Sequence, residues 1–175
     1  MIKGKKILIV GAGGFIGGHL TNRLLKDGNR IVAADIKPKE YWFQDFDAVE
    51  NSILKTVKSK KTELLFLGLM LRMLKTGGGT MVTLSSVLAL RPGPVLGYGA
   101  GKAGIINLTQ SLAVQWGKKN IRINTICPGW VDTPFIRKQE ADGRDLSHIL
   151  RMTPLDRMAT PLEIANLALF LLSDA

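Results

Sequence analysis

Cysteine, histidine and tyrosine are scarce in this 175-residue chain, which has one, two and two of them. A single cysteine, Cys127, excludes an internal disulfide and fits a reducing compartment. It follows a strand-like run, the usual setting of a buried, inert thiol. His19 and His148 together with that cysteine give no metal-ligand spacing, so no metal is expected. Neither histidine stands where a serine-hydrolase triad would need it. Long apolar runs are missing too. The longest, Leu64 to Leu74, falls well short of the ~20 residues a membrane helix requires. The basic opening Met1-Ile2-Lys3-Gly4-Lys5-Lys6 is followed only by Ile7-Leu8-Ile9-Val10, too short for a signal-peptide core. These absences predict a cytoplasmic protein with no membrane partner.

Acidic residues are outnumbered, 14 against 24 basic ones, for a formal charge of +10. Such a balance raises the question of nucleic acid. The basic residues are dispersed, however, as Lys5-Lys6, Lys58 to Lys61, Lys118-Lys119 and Arg137-Lys138. No aromatic residues interleave them as a stacking surface would need. They read as solvated faces, and no nucleic-acid partner is expected. With 46% apolar and 22% charged residues, the composition is that of one soluble globular domain over 1–175.

Strand and helix patterns alternate along the chain. Lys6 to Val10 reads as a buried parallel strand, and the glycine-rich Gly11 to Gly17 opens a helix that runs to about Lys26. Arg30 to Asp35 is a second strand. Tyr41-Trp42-Phe43 suits a short strand, and Phe46 to Val57 suits a helix. The run from Thr62 to Lys75 is apolar on every side. It is compatible with a helix or with a strand and short helix, and the helix is preferred. Thr80 to Leu84 is a strand, Tyr98 to Gly117 a long helix and Ile121 to Ile126 another strand. Thr160-Pro161-Leu162-Glu163 is a capping box for a last helix from Leu162 to Leu172. This order predicts an α/β fold: a doubly wound, Rossmann-like parallel sheet of reduced size in three α/β/α layers.

Three motifs carry chemistry. Gly11, Gly14 and Gly17, with Phe15 and Ile16 between them, have the spacing of a dinucleotide turn. Bare backbone there lets a pyrophosphate approach the start of a helix. Asp35, with Ile36 beside it, ends the second strand. A carboxylate in that position accepts both ribose hydroxyls and repels a 2′-phosphate, which argues for NAD over NADP. Tyr98 and Lys102 are four apart on a helix and project from one face. An ammonium near a phenol favours the phenolate, the arrangement a proton-transferring tyrosine needs. Ser86 ends a strand where a ligand-facing hydroxyl would hold a carbonyl, with Ser85 as the competing candidate.

Taken together, Gly77 to Ser86, Tyr98-Gly99-Ala100-Gly101-Lys102 and Ile121 to Pro134 resemble the short-chain dehydrogenase/reductases. The match to the short, oxidoreductase branch runs from about Leu71 to Asp174. Gly11 to Gly17 and Asp35 look instead like the extended branch, typified by nucleotide-sugar epimerases. On that resemblance Asp45 corresponds to the acid that contacts adenine. The resemblance implies Tyr98 as general acid/base, Lys102 holding the nicotinamide ribose and assisting the phenol, and Ser86 orienting the substrate. It further implies that Pro128, Gly129, Val131 and Thr133 line the nicotinamide side, and that Pro134 to Pro154 forms a substrate lid.

The family's strand ending in Asn-Asn-Ala-Gly has no counterpart here. Its helix asparagine falls near Lys58 or Ser59 and cannot be assigned. Its last strand would follow Ala175, so a sheet of four or five strands is expected, with an unprotected edge that invites self-association. The implied activity is interconversion of a secondary alcohol and a ketone, or of a 3-oxoacyl-type substrate, in a homo-oligomer built on the long helix, where Ile105, Leu108, Leu112 and Trp116 serve either that contact or simply the core. The alternatives are a nucleotide-binding domain without catalysis and, more weakly, a nucleotide-sugar epimerase.

Overall fold

The computed structural model describes residues 2–34, 62–93 and 95–174. The β-branched run after Lys5 forms β1 (Lys6–Val10). A glycine turn leads into α1 (Phe15–Lys26), and β2 (Arg30–Ala34) returns parallel to β1 with Lys6 opposite Arg30. Asn29 closes this unit. Its side-chain amide, only 5% exposed, donates to the carbonyls of Ile2 (2.8 Å) and Leu24 (3.0 Å) and accepts from the Lys5 amide (3.1 Å).

The apolar run beyond the second strand is helical, as preferred above. α2 (Thr62–Lys75) ends where the Gly78 amide turns back onto the Met73 carbonyl at 2.9 Å. β3 (Gly79–Leu84), α3 (Leu96–Trp116) and β4 (Ile121–Ile126) follow, and β3 and β4 pair in parallel with Gly79 opposite Ile121. Next come α4 (Pro134–Ala141) and α5 (Ser147–Arg151), and then α6 (Pro161–Leu172). The capping box of α6 forms as read from the sequence: the Thr160 hydroxyl accepts from the Glu163 amide, and the Glu163 carboxylate accepts from the Thr160 amide.

Alternation along β3 and β4 produces the layers. Met81, Ile121 and Ile123 pack with Met70, Leu112 and Trp116 of α2 and α3. Val82, Leu84 and Ile126 pack on the other side with Ile16 and Leu20 of α1 and Ile164 and Ala168 of α6. A second core beneath the same two helices holds Ile9, Ile31 and Ala33 with Leu24 and Leu169. Of the four α3 residues read as either assembly contacts or core, Leu112 and Trp116 pack against the core, whereas Leu108 is exposed.

The four described strands form two parallel pairs, β1–β2 and β3–β4, rather than the single continuous ladder expected. In the doubly wound order the first strand lies between the second and the fourth. The strand ending in Asn-Asn-Ala-Gly is the one without a counterpart in the sequence, and no described strand bridges β1 to β3. The pairs are joined instead through α1 and α6, which contribute to the cores of both. The strand over Tyr41-Trp42-Phe43, the helix from Phe46 to Val57 and the site candidates Asp35, Ile36 and Asp45 lie outside the described residues.

Candidate active site

Close packing at the glycine turn explains its composition. Gly11 adopts φ +83°, and its carbonyl lies under the first turn of α1, where a Cβ on Gly17 would stand 2.0 Å from the Gly11 oxygen. Gly14 is extended and caps α1 without a side-chain hydrogen bond, and the first turn carries no acid. The positive end of the helix dipole is therefore not neutralised by a carboxylate of its own first turn. Phe15 leaves toward His19 in an edge-to-face contact at 4.9 Å. Ile16 packs into the cluster that contains Leu84, Ile126 and Val131, which sets the turn beside the carboxyl ends of β3 and β4. Parallel α/β sheets bind ligands at that end. A glycine turn, a helix start with no acid in its own first turn and this location fit a pyrophosphate.

At the end of β3 the two serines take different roles. Ser85, 4% exposed, donates its hydroxyl to the Lys102 carbonyl at 2.7 Å. The Ser86 hydroxyl accepts from the Leu88 amide at 3.2 Å, capping the 3₁₀ turn Val87–Ala89. That bond uses a lone pair of Ser86 and leaves its proton available to a carbonyl, whereas the proton of Ser85 is committed. Sequence alone favoured Ser86 but gave no partner for either hydroxyl.

Tyr98 and Lys102 lie on one face of α3, with the Lys102 Nζ 5.6 Å from the centre of the Tyr98 ring. The same ammonium donates to the Leu84 carbonyl at 2.9 Å, so the lysine is tied to the strand end while Tyr98 is half-exposed. Sequence reasoning missed the Leu84 carbonyl because a main-chain acceptor leaves no residue-type signal.

The loop after β4 is stitched to this region by the Val87 amide, which donates to Pro128 at 2.9 Å. The Val131 side chain is buried with Ile126 and Ile164. An isolated bridge to Ala159 uses the Trp130 carbonyl and the Asp132 amide, and the amide and carbonyl of Val131 take no part in it. Thr133 accepts from the Ile136 amide and caps α4. Two exposed bidentate pairs brace the surrounding segment. Arg137 grips Asp132 at 2.7 Å through both oxygens and holds that carboxyl below its ordinary value. Arg157 grips Glu163, whose carboxyl is lowered to about 2 by that guanidinium and then by the Thr160 amide and hydroxyl.

A cleft of about 250 Å³ opens between Leu88, Arg91, Val95 and the Leu96–Gly99–Ala103 side of α3. At 3.6 residues per turn that side is roughly a third of a turn away from Tyr98 and Lys102. The cleft and the Tyr–Lys pair thus lie on different faces of the helix. No group of metal-ligating side chains occurs among the described residues, and none of the described helices is long and apolar enough to cross a membrane.

A glycine turn and a serine, a tyrosine and a lysine gathered at the carboxyl ends of parallel strands, between helical layers, define a Rossmann-type α/β protein. A family model described as enoyl-(acyl carrier protein) reductase matches residues 61–175. The chain belongs to the short-chain dehydrogenase/reductase family. It is 40% identical over 103 residues to a 3-oxoacyl-[acyl-carrier-protein] reductase of Chlamydia trachomatis, covering 58% of this chain and 41% of that protein. Among solved structures, the fold is similar to that of an NAD⁺-bound xylitol dehydrogenase, with a TM-score of 0.77, 20% identity and coverage of 98% and 93% of the two chains. It is also similar to a short-chain type dehydrogenase/reductase from Mycobacterium ulcerans, with a TM-score of 0.83, 21% identity and coverage of 99% and 84%. The chain spans about two fifths of the length of the curated relatives it matches.

Proposed function

We propose that this chain carries the hydride-transfer site of an NAD(P)-dependent oxidoreductase that interconverts a secondary alcohol and a ketone, including 3-oxoacyl-type substrates. The observation that carries the reading is Tyr98 and Lys102 on one face of α3, with the lysine fastened to the end of β3 and Ser86 at that same end. Bound nicotinamide supplies the hydride in reduction and accepts it in oxidation. Ser86 donates its free proton to the substrate oxygen and orients it. Tyr98 delivers the proton that the reduced oxygen takes up, and recovers it in the reverse direction. Lys102 sits beside the phenol and reaches the nicotinamide ribose. Gly11, Gly14 and Gly17 receive the pyrophosphate, and Pro128, Gly129, Val131 and Thr133 face the nicotinamide, Val131 through its main chain. Asp35 favours NAD over NADP. The segment 134–154 covers the substrate, and exposed apolar positions on α3 such as Leu108 support a homo-oligomer.

The test is nicotinamide absorbance with a panel of alcohols, ketones and 3-oxoacyl thioesters. Turnover that Tyr98→Phe abolishes, with cofactor affinity kept, supports the reading, and no turnover on the whole panel removes it. The division of the sheet into two pairs favours a second reading, a nucleotide-binding domain without catalysis. Calorimetry that detects NAD binding in a chain with no turnover selects it.

A further inference from the structure

Lys102 is held at both ends. Its ammonium donates to the Leu84 carbonyl at 2.9 Å, and its own carbonyl accepts from the Ser85 hydroxyl at 2.7 Å. The two bonds run in opposite directions between a helix residue and two consecutive strand-end residues, so they close a ring that includes the whole lysine side chain. Ser85 is fixed in turn, because its amide donates to the Ile126 carbonyl of β4 at 2.8 Å. From this geometry we infer that Ser85 is a positioning residue for Lys102, setting where its ammonium stands relative to Tyr98.

A lysine side chain has several rotatable bonds and an ammonium with three donors. Free in a cleft it samples many positions. With the main chain pinned by Ser85 and one donor spent on Leu84, the remaining two donors have a defined origin. The serine is nearly inaccessible and its hydroxyl proton is spent on the Lys102 carbonyl, so its effect passes through the lysine. Two turns further along the helix, the Thr83 and Thr109 hydroxyls meet at 2.9 Å and hold α3 to β3 independently. Removing the Ser85 hydroxyl therefore loosens Lys102 without undocking the helix. The chemical role of the lysine rests on the function proposed above, but the lock itself does not.

The experiment is residue-resolved acylation of the lysines with a small amine-reactive ester, read by mass spectrometry on the ligand-free chain. In the native protein Lys102 should react several-fold more slowly than the exposed Lys75 and Lys118. Ser85→Ala should raise the Lys102 rate several-fold and leave those two unchanged. Ser85→Cys, similar in volume but a poor donor, should behave like alanine. An unchanged Lys102 rate in the alanine variant, a cysteine variant that matches the native protein, or a joint rise at all three lysines would each overturn the lock. In the catalytic assay Ser85→Ala should lower kcat by about tenfold to a hundredfold. A native chain with neither NAD binding nor turnover would remove the oxidoreductase reading, and the acylation pattern would still decide the lock.

Discussion

Gly17 lies directly over the carbonyl of Gly11, so close that a methyl group added there would stand 2.0 Å from that oxygen. The obstacle is main chain and cannot rotate aside. Gly17→Ala should therefore cost about 2–3 kcal/mol, near the upper end for overpacking, and weaken NAD binding by displacing the start of α1. Gly14→Ala, whose Cβ would meet the same oxygen at 3.2 Å, should cost less. Urea denaturation and calorimetry of the two variants check the order.

The α3 helix is rich in glycine, and most of those positions face open space. Nothing lies within 4 Å of a Cβ built on Gly97, Gly101 or Gly104, whereas one on Gly99 would lie 3.0 Å from the Leu88 carbonyl. Alanine at each of the first three should stabilise the protein by roughly 0.5–1 kcal/mol, because glycine loses the most backbone freedom in a helix. Gly99→Ala should give no such gain. Thermal melting of the four single variants separates the two outcomes.

Asn29 satisfies three main-chain groups at once, two of them carbonyls at the start of the chain and the end of α1. Asn29→Ala should destabilise the fold by about 2–3 kcal/mol, since buried polar groups left without partners cost more than the bond itself was worth. A fall in the denaturation midpoint with an unchanged slope is the expected signature.

Glu163 gives the stability a pH dependence of known sign. Its carboxyl is lowered to about 2 in the folded chain, against an ordinary value of 4.5. The stabilisation is complete above the unfolded value and is lost as pH falls from there through about 2. Glu163→Gln should lower stability above pH 4.5 and flatten the profile between pH 4.5 and 2, so that the two proteins converge toward pH 2. Chemical denaturation at stepped pH measures it.

Elements with a clear period were legible in the sequence. β1, α1, β3, α3, β4 and α6 fall within two residues of their expected limits, because alternation, glycine stops and the capping box at Thr160 are local signals. The apolar Thr62 to Lys75 run gave no periodicity to distinguish its two readings, and the preferred one, the helix, is the one that forms. The division into two strand pairs was not legible, since pairing depends on contacts far apart in the chain. In the site, the i, i+4 relation of Tyr98 and Lys102 brings them together as expected. The roles of Ser85 and Ser86 could not be assigned from composition, because adjacent identical residues differ only in which groups the fold brings to them.

The arrangement of the strands bears on cooperativity. A continuous ladder transmits unfolding from strand to strand, but here, among the described residues, α1 and α6 connect the two strand pairs by side-chain packing rather than by a main-chain ladder. Amide protection in β1–β2 and in β3–β4 is thus governed by separate opening events, and whatever tightens the contact of those two helices with both halves makes the chain melt as one.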